Sequence, residues 1–252
     1  MPQTDVADAH TAKPTVDGRR VVISGGTTGI GRATATLLAS EGAKVFICGR
    51  DEQYLADSLE RIREVGEGDG IALDLAKDSG VKEFFDAADK YLGGIDIAII
   101  NAAVPAEGLS TMSVDEVRYA IATDFTAYLM SAHAAQERMV AGDIVLIGSM
   151  SAHVLGPSST VYAGIKAGIA GFSEALRREL GPKGIKVALI EPGKTGADFQ
   201  SPDIPPDQQA EMINQERMLR AEDIAVGIHF LLTQPSRTVV QQLVMVPRVQ
   251  DE

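Results

Sequence analysis

The chain has 252 residues, 45% hydrophobic and 5% aromatic with no Trp, a composition that fits one α/β domain around an aliphatic core and argues against fibrous, disordered and membrane classes. Asp and Glu outnumber Lys and Arg by 35 to 23, a net charge of −12 with no Lys/Arg-rich run, so no nucleic-acid surface is expected. Cys48 is the single cysteine, which excludes an intrachain disulfide and fits a reducing, cytoplasmic setting.

The first 17 residues contain two prolines and no apolar stretch. They are expected to form a flexible tail, neither a secretory signal nor a membrane span, ahead of a domain running from 18 to 252. Within that domain the runs expected as strands are RVVIS (20–24), KVFIC (44–48), GIALD (70–74), DIAII (96–100), DIVLIG (143–148), KVALIE (186–191) and VVQQLVMV (239–246). Helical patterns lie between them near 29–40, 51–65, 78–91, 113–140, 160–180 and 221–233. The alternation predicts a doubly wound, mostly parallel seven-stranded sheet, Rossmann-like, with helices on both faces of a single domain. Five of the strands are apolar throughout, as strands covered on both faces should be.

Ligands of such sheets bind outside the carboxyl ends of the strands. That directs attention to Gly25–Gly31, Gly49 and Arg50, Asp74, Asn101, Ser149 and Pro192–Thr195. Segment 195–209, TGADFQSPDIPPDQQ, carries three prolines on the same edge. A loop of this length inside a compact domain is usually functional or disordered, and a substrate lid over 195–218 is expected.

SGGTTGIG, Ser24 to Gly31, follows the first strand and opens the first helix. Gly25, Gly29 and Gly31 let the backbone turn tightly and approach a pyrophosphate, which then faces the free N–H groups of the helix N-terminus. Thr27, Thr28 and Ile30 belong to the same cofactor loop. A plain strand-to-helix corner is the alternative, and the loop's place in an alternating pattern favours the dinucleotide. Arg50, after the second strand, offers a planar guanidinium to a 2′-phosphate where an acidic residue would bond a ribose hydroxyl. A dinucleotide that carries a 2′-phosphate is therefore expected over one that does not, with Asp51 next door as the contrary sign.

Tyr162 and Lys166 form Y-x-x-x-K in VYAGIKAGIAGFSEALRREL. Residues four apart share a helix face, and a cation beside a phenol favours the phenolate. Ser149 ends the fifth strand, 13 residues before Tyr162. The G-x-x-x-G-x-G spacing and this Ser, Tyr, Lys set together resemble the short-chain dehydrogenase/reductase family in its compact single-domain form, over essentially the whole chain from Val16 onward. The resemblance implies a nicotinamide cofactor, for which Arg50 favours NADP(H) over NAD(H), and interconversion of a carbonyl and a secondary alcohol. It implies that Ser149 holds the substrate oxygen, Tyr162 exchanges the proton, and Lys166 tunes Tyr162 and binds the nicotinamide ribose. By the same resemblance Asp74 and Leu75 contact the adenine, although Asp74 also reads as a helix N-cap. Asn101, Ala102 and Ala103 in INAA, and Pro192, Gly193 and Thr195 in EPGKTGAD, are further implied cofactor contacts. A homodimer or homotetramer through helices 113–140 and 160–180 is implied as well, with packing of those helices on the sheet as the other explanation of their small residues.

The chain also departs from the family pattern. Ile100 and Ala103 replace the first Asn and the Gly of N-N-A-G, Ala197 stands where Thr is common, and the D-G-G tail of many relatives is missing. Asp124 in IATDFTAY takes the place of a helix asparagine. An ionised carboxylate accepts hydrogen bonds but cannot donate, so Asp124 would hold Lys166 charged or support a weakened proton relay. These changes raise the alternative of a non-catalytic NADP(H)-binding redox sensor, against which the intact Ser, Tyr, Lys set stands. A sugar-nucleotide epimerase or dehydratase would need a second domain, for which about 60 residues after the sixth strand are too few. His10, His133, His153 and His229 lack ligand spacing, so no metal site is expected. His153 reads either as a lining residue of the substrate pocket, with Ser149, Tyr162, Val104, Leu155 and Phe199, or as a solvated loop residue. That lining suggests a mid-sized, partly apolar ketone or alcohol.

Overall fold

The computed structural model describes residues 13–196 and 204–249. Residues 1–12, 197–203 and 250–252 lie outside it, and with them His10, Ala197 and Phe199. The first half runs β1 (Arg20–Ile23), α1 (Gly29–Ser40), β2 (Lys44–Gly49), α2 (Glu52–Val65), β3 (Glu67–Ala72), α3 (Gly80–Leu92) and β4 (Ile97–Ile100). The second half runs α4 (Val114–Ile121), α5 (Ala127–Arg138), β5 (Gly142–Ile147), α6 (Thr160–Leu180), β6 (Ile185–Pro192), β7 (Thr195–Gly196), α7 (Pro206–Asn214), β8 (Leu219–Arg220), α8 (Ala221–Leu232) and β9 (Gln242–Met245).

Seven parallel strands pair in the order β3-β2-β1-β4-β5-β6-β9. Successive side chains of a strand leave opposite faces, and the two cores follow from that. Val21 and Ile23 join Leu38, Ile62, Ile224 and Ile228 beneath α1, α2 and α8, whereas Val22 joins Phe84, Phe85, Tyr128 and Ile169 beneath α3, α5 and α6. Each such fully buried aliphatic or aromatic side chain contributes about 1.5–3 kcal/mol. The strand order reverses between β1 and β4, so helices leave the sheet in opposite directions there and a crevice opens at the carboxyl ends.

Four expectations need correcting. Strand three covers Glu67–Ala72 rather than 70–74: EGDG is a poor strand former by propensity, but its backbone pairs with β2 from Lys44↔Glu67 to Gly49↔Ala72. The single helix expected over 113–140 is interrupted by a π-helical turn at Ala122–Thr126, which sets α5 off from α4. Segment 195–209, expected as one long irregular loop, is not wholly irregular. Its β7 pairs with β8, which lies beyond its end, Thr195 opposite Leu219, and α7 starts at Pro206, a favoured first helical position because Pro lacks the N–H that would be left over there. Finally, Val16, placed in the expected tail, is 1% exposed and packed in the core, and the Gly18 N–H donates to the Gly42 carbonyl at 2.9 Å. Among the described residues no helix is long and apolar enough to cross a membrane.

Candidate active site

β1 delivers Ser24 to the crevice, where its Oγ accepts from the N–H groups of Asn101 (2.9 Å) and Ala102 (3.1 Å). The Asn101 amide donates in turn to the carbonyls of Ser24 (3.2 Å) and Gly25 (3.0 Å). Asn101 thus clamps the glycine loop to the end of β4. Gly25 has φ +65°, and a Cβ there would lie 2.7 Å from Ala102 Cα; at Gly31 a Cβ would lie 2.1 Å from the Gly25 carbonyl oxygen. No side chain fits at either place, so the loop presents bare backbone. Thr28 stands at the N-cap of α1 in extended backbone, and its side chain makes no capping bond. The first-turn N–H groups of α1 are left without a side-chain cap, the arrangement a phosphate completes. Thr27 packs against Gly49 and Ile30 faces the core, so these two shape the loop from behind.

Arg50 and Asp74 stand on the rim, at the ends of β2 and β3. They do not pair with each other: the Arg50 Nη1 donates to the Tyr119 hydroxyl (2.8 Å), which donates to Asp74 Oδ2 (3.0 Å). Asp74 Oδ1 accepts from the Ala76 N–H at 2.9 Å. This is a local turn rather than a helix cap, since α3 begins six residues later at Gly80. Leu75 is turned into the core.

At the centre, Lys166 is 2% exposed. Its Nζ donates to the Ile147 carbonyl at 3.0 Å and lies over two phenol rings, Tyr128 at 5.1 Å and Tyr162 at 5.5 Å. Tyr128 donates to the same carbonyl at 3.2 Å. Burial on its own lowers the ammonium's pKa, and the acidic groups Tyr128, Tyr162 and Asp124 outweigh it, leaving Lys166 raised. Burial likewise pushes the Tyr128 phenol up to about 12, so at neutral pH that ring is uncharged and Asp124 is the anion Lys166 feels. Asp124 lies in the π-helical turn, fully buried. Its Oδ1 accepts from the Val104 N–H at 2.7 Å, and its Oδ2 has no partner among the described residues. Burial raises its carboxyl from 3.8 to about 6, against the pull of Lys166.

Ser149 ends the loop from β5, its Oγ accepting from the Ser151 N–H at 3.1 Å. That bond leaves the hydroxyl proton available to a substrate oxygen. The short turn Met150–Ala152 that follows packs on α6, which carries Tyr162 and Lys166. His153, exposed on that loop, meets Glu191 Oε2 through its Nε2 at 2.9 Å. Glu191 is completely buried, also accepts from Gln242 Nε2 at 2.5 Å, and keeps Oε1 unpartnered among the described residues. Pro192 and Gly193 follow it, and the Thr195 hydroxyl donates to the Gly193 carbonyl at 3.0 Å. Tyr119, Tyr128, Glu191 and Gln242 were not singled out from sequence. Tyr128 lies four residues after Asp124 and Glu191 is an acid inside an apolar strand, two signals that point inward; nothing in the sequence marks Tyr119 or Gln242.

A family model described as short chain dehydrogenase matches residues 19–207. This chain belongs to the short-chain dehydrogenase family. An uncharacterized oxidoreductase of Staphylococcus aureus (strain MRSA252) is 30% identical over 90% of this chain and 96% of its own length. Carbonyl reductase family member 4 of Xenopus laevis is 28% identical over 84% and 90%. Among solved structures, a short chain dehydrogenase from Burkholderia cenocepacia in complex with NADP superposes with a TM-score of 0.83 at 26% identity, covering 92% of this chain and 98% of its own. Short-chain dehydrogenases are oxidoreductases that use a nicotinamide cofactor, and the residues here fit one: a glycine cradle that a Cβ would fill, an uncapped helix N-terminus behind it, and a cation at each end.

Proposed function

We propose that this short-chain dehydrogenase interconverts a carbonyl and a secondary alcohol with NADP(H). The observation that carries the reading is Lys166, buried between the Tyr128 and Tyr162 rings and bonded to the Ile147 carbonyl. Confining a lysine in this way costs solvation, and a cation held against a phenol is the device a general-acid tyrosine needs. When bound, the cofactor supplies or accepts hydride.

In reduction Ser149, oriented by the Ser151 N–H, donates a hydrogen bond to the carbonyl oxygen and fixes its position. Tyr162 delivers the proton to that oxygen. Lys166 stabilises the phenolate left behind and reaches the nicotinamide ribose, while Asp124 supplies its countercharge. Gly25, Thr27, Thr28, Gly29, Ile30 and Gly31 form the pyrophosphate cradle; Arg50 takes the 2′-phosphate; Asp74 and Leu75 border the adenine. Asn101, Ala102 and Ala103, with Pro192, Gly193 and Thr195, border the ribose and nicotinamide. His153 lines the substrate side beneath a lid over 195–218. Gly164, Ala167 and Gly171 lie exposed on α6, the face proposed for a homodimer or homotetramer.

The test is NADPH oxidation over a panel of mid-sized ketones and aldehydes. Turnover that Tyr162→Phe abolishes while nucleotide binding persists supports the reading. Tight nucleotide binding with no turnover on any compound favours a redox sensor instead.

A further inference from the structure

At the rim of the crevice Tyr119 joins two residues of the proposed cofactor site and has no role in it so far. Arg50 just after β2, Tyr119 on α4 and Asp74 just after β3 form one chain of hydrogen bonds, 2.8 Å from guanidinium to phenol and 3.0 Å from phenol to carboxylate. The direction is set by chemistry: a guanidinium only donates and a carboxylate only accepts, so the single phenolic proton goes to Asp74 and a lone pair goes to Arg50. The Tyr119 ring also lies under the guanidinium, with Arg50 Cζ 5.8 Å from its centroid. Asp74 is turned away by a second bond, from the Ala76 N–H to its other oxygen.

The chain has two consequences. An exposed arginine at a strand end samples many rotamers, and holding it beforehand removes most of that entropy loss from the binding step. Asp74 is also the anion nearest Arg50 in this network. Bonded to it directly, it would neutralise the guanidinium and repel a phosphate; the phenol keeps the two one group apart. Arg50 spends one donor on Tyr119 and retains the others.

We infer that Tyr119 is a cofactor-selectivity residue, which holds Arg50 ready for the 2′-phosphate of NADP(H) and keeps Asp74 off it. The inference rests on the NADP(H) reading above, and it assigns Tyr119 a positioning role rather than a catalytic one.

The experiment is titration of the full chain with NADPH and with NADH, followed by nucleotide fluorescence, for wild type, Tyr119→Phe, Arg50→Ala and the double variant. Tyr119→Phe keeps the ring and removes only the hydroxyl. It is expected to weaken NADPH about 3- to 10-fold, the size of immobilising one rotamer-rich side chain, with NADH within about 2-fold. In the Arg50→Ala background the same substitution is expected to change neither affinity, because its effect passes through the guanidinium. Equal weakening of both nucleotides by Tyr119→Phe would reduce Tyr119 to a structural residue and overturn the inference. So would tighter NADPH binding, which would make the phenol a competitor for Arg50. An unchanged NADPH/NADH ratio in Tyr119→Phe alongside a lowered one in Arg50→Ala overturns the inference and leaves the NADP(H) reading standing. If Arg50→Ala leaves the ratio unchanged as well, that reading fails with it.

Discussion

Two regions of the crevice are built from the same three kinds of group and put them to different uses. At the rim, an exposed Arg50 and the half-buried Tyr119 and Asp74 join a cation, a phenol and a carboxylate within reach of water. At the centre, Lys166, the phenols Tyr128 and Tyr162, and Asp124 repeat the set with the ammonium and the carboxylate out of solvent. Water and salt weaken charge interactions at the rim, so what that region decides is geometry and selectivity. The centre has no such screening, and there the carboxyl of Asp124 rises to about 6 while the Lys166 ammonium is held above its ordinary value.

The largest expected effect breaks the centre. Tyr162→Phe should lower kcat by about 10²- to 10⁴-fold, the usual contribution of a positioned acid or base, with nucleotide affinity kept; steady-state turnover beside a nucleotide titration checks it. Asp124→Asn comes next. A carboxyl raised in the folded state binds its proton more tightly there than in the unfolded chain, so its contribution is most favourable below about pH 4 and declines as pH rises to about 6. Wild type should therefore lose up to about 3 kcal/mol relative to Asp124→Asn across that interval, the energy equivalent of a carboxyl moved from 3.8 to about 6. Denaturant titrations at pH 4 and pH 7 read it, and the difference should be indifferent to salt.

Arg50→Ala moves the comparison to the rim. NADPH affinity should fall about 10- to 100-fold at low ionic strength with NADH little affected, and the effect should shrink toward 1 M salt, where the Debye length is about 3 Å. A loss equally large at both ionic strengths would mean that the rim is as shielded as the centre. His153 lies between the two regimes, exposed itself but bonded to the buried Glu191. His153→Ala should raise the KM for substrate about 2- to 10-fold with kcat kept, the scale of one neutral hydrogen bond; an unchanged KM removes it from the substrate site.

The sequence by itself determined the alternation of strands and helices, and through it the sheet, the crevice and the strand ends that border it. Such signals are local: an apolar run, a glycine spacing and a Y-x-x-x-K pair keep their meaning wherever the chain goes. It also put Gly25 and Gly31 in the loop after the first strand and Tyr162 and Lys166 on one helix, where the ammonium lies over the Tyr162 ring. Tertiary structure alone decided that EGDG is a strand, because β2 offers it a ladder that its own propensity would not seek. It decided that the helix carrying Asp124 is interrupted there, so that the carboxylate meets the Val104 N–H. The partners of Lys166 and Arg50 were likewise settled by packing. Tyr128 is 38 residues from Lys166 in sequence and Tyr119 is 69 from Arg50, and contacts across such spans exist only once the sheet has brought α4, α5 and α6 to one edge. How far a buried charge shifts a proton depends on those distant neighbours and on the water they exclude, which is why Tyr162, Lys166 and Asp124 could be named from the sequence while Tyr128 and the electrostatics of the group could not.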